Sequence, residues 1–209
     1  MRALKHRFAT FLRNEDGLIL VEGLIMLPLL IWALVAMFVY WDVFRTINVT
    51  QKTAYSVADL LSRQRDTIPL AFANGLQNVV NFLTPGGHPV KMRITSFECI
   101  SPTGTQAQQI CNGSRGAYRK LFSFSPGSPA NGVLELTETQ IQAWKGTKIP
   151  TLVHGESVFV VETEVDYKAQ LPMVLAGLLI GVDDQTFGNF IVTRPRNHRL
   201  CLEGTTTCS

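Results

Sequence analysis

One carboxylate in this chain stands where only a specific role would keep it. Glu22 lies five residues after Gly17 and is the only formally charged residue in an apolar run from Leu18 to Trp41. A charge at that depth in a segment long enough to cross a bilayer carries a desolvation cost, and such residues are usually functional. Two roles are open to it. It could snorkel one turn to the membrane interface, or it could pair with a cation on a neighbouring helix and fix the axial register of the packing.

The other chemistry-bearing residues fall beyond that run. All four cysteines, Cys99, Cys111, Cys201 and Cys208, follow it, and none lies within the first 41 residues. An oxidising compartment would permit disulfides there. Four cysteines allow three connectivities, and the expected pairs are the local ones, Cys99–Cys111 and Cys201–Cys208, each closing a short polar loop. Free thiols and a zinc site are the alternatives. Zinc has little support, because there is no Cys-x-x-Cys and the closest approach is His198 near Cys201.

A hydrolase would need a nucleophile, a base and an orienting acid. The chain has no Gly-x-Ser-x-Gly, no His-Glu-x-x-His and no glycine-rich phosphate loop. Glu162, Glu164 and Asp166 repeat with period two and so share one face of a strand, which reads as a solvated face and not as a glycosidase pair. Asp183-Asp184 is too common a turn pair to specify a cation site. The expectation is no enzyme, no metal, no cofactor and no small-molecule substrate. A net charge of +3 over 209 residues gives no argument for nucleic acid.

The elements that must position these groups begin with the apolar run. Its 24 residues make roughly 36 Å of helix against a hydrocarbon core of about 30 Å, so the segment spans with some tilt. It ends in Tyr40-Trp41-Asp42 with no small-x-small cleavage pair, which argues for an anchor over a secretory signal peptide. Arg2, Lys5, Arg7 and Arg13 precede it, and only Arg45 and Lys52 follow closely. The positive-inside rule then places the N-terminus in the cytoplasm and the rest outside. Val43, Phe44, Ile47, Thr50, Ala54, Val57, Ala58 and Leu61 continue at helical spacing, so one helix is expected from about Leu18 to about Arg65, apolar all round and then amphipathic.

The remainder predicts an α+β domain. A helix is expected over Leu70–Leu83, stopped by Thr84-Pro85-Gly86-Gly87. Strands are expected over Val90–Ile100, Tyr118–Phe124, Ser157–Tyr167 and Thr186–Thr193. Ser101–Gly116 and Pro126–Gly132 read as loop and turn, and Thr137-x-x-Gln140 as a capping box. Leu171–Val182, charge-free and too short to span as a helix, reads as a buried core segment, with contact to the bilayer or a partner as the second choice. The resulting division is a basic leader (1–17), a transmembrane helix (18–41), its amphipathic extension (42–66) and an α+β head (67–209).

The string Asp16-Gly17-Leu18-Ile19-Leu20-Val21-Glu22 resembles the processing site of type IV pilin-like proteins, and the wider run through Leu27-Pro28-Leu29-Leu30 is similar to the TadE/TadG-like pseudopilins of tight-adherence pili. A strand ending in Val165-Asp166-Tyr167, then an apolar Leu- and Pro-containing segment, then a strand running into Arg194 resembles the closing order of that family. The first mature residue would be Leu18 where type IV pilins usually have Phe, and Gly23 follows the glutamate where relatives often have an aromatic. The resemblance implies cleavage by a prepilin peptidase between Gly17 and Leu18, and pairing of Glu22 with the freed α-amine of a neighbouring subunit. It implies a bacterial inner-membrane protein with a periplasmic head, acting as a minor pseudopilin. Its partners would be membrane lipid, the peptidase, other pilins and pseudopilins, and the Tad assembly platform. An uncleaved membrane-tethered receptor or adhesin domain is the alternative, and a tethered periplasmic enzyme a further one.

Overall fold

The computed structural model describes residues 18–84, 88–101, 109–127, 133–168, 174–175, 178–179 and 184–208. The expected leader and most of Leu171–Val182, with Asp183, lie outside the described residues. The chain forms two compact units, one of residues 1–42 with 169–183 and one of residues 43–168 with 184–209.

Helix α1 runs from Leu18 to Ser62 with Pro28 inside it. It is the one helix among the described residues that is long and apolar enough to cross a membrane. In the first unit its apolar side chains from Val21 to Ile31 are exposed on every side, with Leu24 71% exposed. In the second unit one face is buried: Val43, Thr46, Thr50, Ala54, Val57, Ala58 and Leu61. Phe44, expected on that face, is 62% exposed, because it falls about 100° round the helix from Val43. The helix also ends three residues before the expected Arg65. The backbone N–H of Arg196, from the C-terminal tail, donates to the Ser62 carbonyl at 2.9 Å, satisfying one of the acceptors that a helix end leaves open.

The same tail sets the start of α2 (Leu70–Leu83). Pro69 supplies no side-chain cap. Instead the Glu203 carboxylate accepts from the Leu70 N–H at 3.2 Å, an anion at the positive end of the helix. The following strands are β1 (Val90–Ile100), β2 (Ile110–Cys111) and β3 (Ala117–Phe124). Then come α3 (Glu138–Gln142), β4 (Leu152–Val153), β5 (Ser157–Tyr167), β6 (Val174–Leu175), β7 (Leu178–Leu179) and β8 (Gln185–Thr193). The expected capping box forms at α3, with Thr137 and Gln140 bonding each other's backbone. Ser101–Gly116, expected as loop, contains β2, which pairs with β4. Two residues of strand are too short to leave an alternating pattern. Of Leu171–Val182, only the antiparallel pairing of β6 and β7 is described.

Four strands make one antiparallel sheet in the order β3-β1-β5-β8. Alternation assigns each face its chemistry. On one face Val90, Met92 and Ile94 of β1 sit with Phe159, Val161 and Val165 of β5, covered by Ala54–Leu61 of α1, by α2 and by Leu200 and Leu202 of the tail. The opposite face is divided along its length. At one end Phe97, Cys99, Val158 and Val160 pack beneath Ile141, Trp144, Ile149 and Leu152. At the other end the face carries charge. Arg93 donates to Glu162, directly opposite on β5, at 2.7 Å, and Lys91 reaches Asp166 at 2.8 Å. The three acids expected to share a strand face are therefore ion-paired or exposed members of a sheet surface.

The Lys91–Asp166 contact makes stability depend on pH. The hydrogen bond from Lys91, aided by one from Thr186, holds the Asp166 carboxyl below its ordinary 3.8, and the bond to Asp166 raises the Lys91 ammonium above its ordinary 10.5. The contribution is present between those two ordinary values, is lost as pH falls through the lowered value, and is lost as pH rises through the raised one. Urea unfolding should therefore show Asp166→Asn destabilised relative to wild type at pH 7, with the difference shrinking below about pH 3.8. An unchanged gap at pH 2 would show that the pair is not its source.

Candidate functional site

Of the residues expected at the processing site, Gly17 lies outside the described residues and only the backbone of Leu18 is described, as the first residue of α1. Glu22 sits about one turn further along α1. It is exposed and has no hydrogen-bond or ion-pair partner among the described residues. Around it the helix surface is aliphatic for three turns. This arrangement offers one acceptor group on an otherwise apolar cylinder. Such a surface suits lipid or the apolar face of another helix, and the acid would be matched only where a donor arrives at the same height.

The cysteines form the two local disulfides, Cys99–Cys111 and Cys201–Cys208. The first fastens the end of β1 to the β2 segment. Its geometry requires a glycine nearby: Gly116 has φ +63°, and a Cβ there would lie 2.7 Å from both Cys111 Sγ and the Ile110 carbonyl oxygen. Both bonds lie in the second unit. Among the described residues no group of three or more His, Cys, Asp and Glu is placed to hold a metal. His198 lines a cleft and is not a ligand beside Cys201, which is disulfide-bonded.

That cleft was not anticipated from the sequence. It is an open cavity of about 1030 Å³ in the second unit, where β1 and β8 finish and β3 and β5 begin. Arg65, Arg119, Arg194, Arg199, His154 and His198 line it, with Asp66, Glu98 and Glu156 among them. The Glu98 side chain is 10% exposed, accepts from Arg119, its cross-strand neighbour, and forms an ion pair with Arg199 at 3.5 Å. Glu156 pairs with Arg194 at 2.6 Å and also accepts from the Val153 N–H. His154 Nδ1 accepts from the Ser101 N–H at 3.0 Å, which leaves its Nε2 as the protonated nitrogen in the neutral ring. The sequence signal for this site was the basic string Arg194-Pro195-Arg196-Asn197-His198-Arg199. What it could not reveal is that the string folds back on residues from positions 65, 98, 119 and 154.

The chain matches no protein-family model, no curated protein and no solved structure.

The disulfide fastening β1 to β2 closes a loop with a sequence separation of 12, and cross-links of that kind contribute about 2–4 kcal/mol, largely by restricting the unfolded chain. The double variant Cys99→Ala/Cys111→Ala should lose about that much in denaturant unfolding. Equal stability of variant and wild type would show the bond to be dispensable.

Proposed function

We propose that the protein is a minor pseudopilin of the TadE/TadG-like kind, acting in tight-adherence pilus biogenesis. It is anchored in the bacterial inner membrane by α1, with the basic leader in the cytoplasm and the disulfide-bonded head in the periplasm. A prepilin peptidase cuts between Gly17 and Leu18. The freed helix packs with other pilin helices and with the assembly platform, and the protein performs no catalysis of its own.

The observation that supports this most is the first part of α1. Its apolar side chains are exposed all round, and its single carboxylate stands one turn from the proposed new terminus. In a parallel stack of such helices, the acid of one subunit meets the α-amine of the next only at one axial offset. Pairing then offsets the desolvation of both groups and penalises every other offset. Two disulfides in the head fit an oxidising compartment on the far side of the membrane. The charged cleft favours a second reading, an uncleaved tethered receptor whose head binds a ligand.

N-terminal sequencing of the protein purified from membranes separates the two. A chain beginning at Leu18 is expected, and Gly17→Leu should leave the leader attached. Glu22→Leu should still insert in the membrane but fail to enter pilus assembly, by co-purification with other pilins. An intact Met1 together with normal assembly of Glu22→Leu would reduce α1 to a plain tether.

A further inference from the structure

The arginine cleft has no part in helix packing, and its construction indicates a ligand of its own. We propose that it binds a peptide segment of a partner protein through a carboxylate on that segment. The inference stands on the geometry of the second unit alone and does not require leader cleavage.

Two of the acids, Glu98 and Glu156, are less exposed than the arginines that pair with them, whereas Asp66 is exposed. Glu98 and Glu156 side chains are 10% and 25% exposed, whereas Arg119 and Arg194 are 47% and 59% exposed. Glu98 accepts from Arg119 and lies 3.5 Å from Arg199, and Glu156 pairs with Arg194 at 2.6 Å, so each of these guanidiniums meets its carboxylate through one nitrogen. A guanidinium has five donors, so most remain available to a ligand. Arg65 has no hydrogen bond or ion pair with any described residue. A site held in this way is already organised before the ligand arrives, which lowers the entropic cost of binding. Both disulfides lie in its walls, through Cys99, Cys201 and Cys208.

The lining chemistry narrows the ligand. Among the described lining residues every permanent cation is arginine, with no lysine, and the planar fork matches a carboxylate in a bidentate manner. Among the described lining residues, four arginines against three carboxylates leave one net positive charge, which favours a single anionic group. A nucleic acid or a polyuronate, charged at every unit, would meet Asp66, Glu98 and Glu156 as repulsive neighbours. Among the described residues the lining has no Phe, Tyr or Trp, so these offer no aromatic platform on which a base or a sugar ring could stack. It does offer side-chain hydrogen-bond groups on Thr67, Ser157, Asn197 and His154, which suit the amides of a peptide. Finally, the volume of about 1030 Å³ is far more than one carboxylate fills and is of the size that holds an extended segment.

The test uses the full-length protein in lipid nanodiscs, applied to an array of randomised octapeptides with amidated C-termini. Each sequence is made with Glu and with Gln at one position, and a matching set carries a free C-terminal acid. Tetragalacturonate is measured separately by calorimetry. Peptides with a carboxylate should bind roughly tenfold tighter or more than their amide twins, and the two acid sets show whether a side chain or a chain terminus is preferred. Arg65→Glu should abolish that preference and leave near-UV circular dichroism unchanged, since Arg65 supports no described contact. Arg63→Ala, whose side chain pairs with Asp59 outside the cleft, should retain it. Equal binding of acid and amide peptides, or a preference that survives Arg65→Glu, would overturn the proposal. Tetragalacturonate binding tighter than the best acidic peptide would overturn it in favour of a sugar acid.

Discussion

The constraint that dominates this chain is the apolar surface of α1, a helix long and apolar enough to cross a membrane. From Val21 to Ile31 the helix presents exposed apolar side chains around its whole circumference. Burying that surface in lipid or against like helices is favourable by the same hydrophobic term that builds a core. The backbone raises no objection, because a helix satisfies its own hydrogen bonds. Along its length α1 changes character, apolar and exposed all round from Val21 to Ile31 and buried on one face after Asp42.

The second unit contains a sheet whose two central strands are covered unequally. One face of β1 and β5 is apolar throughout and receives α1, α2 and the C-terminal tail. The other is apolar at one end and charged at the other. The tail does more than cover. Arg196 closes the last turn of α1, the Glu203 carboxylate starts α2, and Ile68 and Leu202 pair as a short parallel bridge between the two helices' connector and the tail. The segment that finishes the fold thus also brings Arg194, His198 and Arg199 to the rim of the cleft. The same few residues complete the fold and line the cleft, and their positions are fixed by backbone hydrogen bonds and a disulfide.

Much of this was legible in the sequence wherever a periodic pattern was long. The 24-residue apolar run, the helix Leu70–Leu83 and the strands Val90–Ile100 and Ser157–Tyr167 all follow from runs in which side-chain period and element type agree. The capping box at Thr137 is legible because its two reciprocal bonds need only four consecutive residues. Phe44 misled because an apolar side chain next to a buried position looks like part of the stripe, and only the direction of the packed face excludes it. β2 was missed because two residues cannot show a period.

Local order alone determined the apolar helix with its single acid, the strand-forming segments, and cysteines close enough in sequence to join as neighbours. These depend on spacing within one stretch of chain, where periodicity and loop closure act directly. Only the tertiary structure decided which carboxylates paired across the open sheet face and which came to line a cleft, and that the basic tail would gather beside Arg65, Glu98, Arg119 and His154. Those outcomes require contacts between residues far apart in sequence. Coulombic and hydrogen-bonding partners are chosen by the distance left after the core has packed, and no local pattern records that distance.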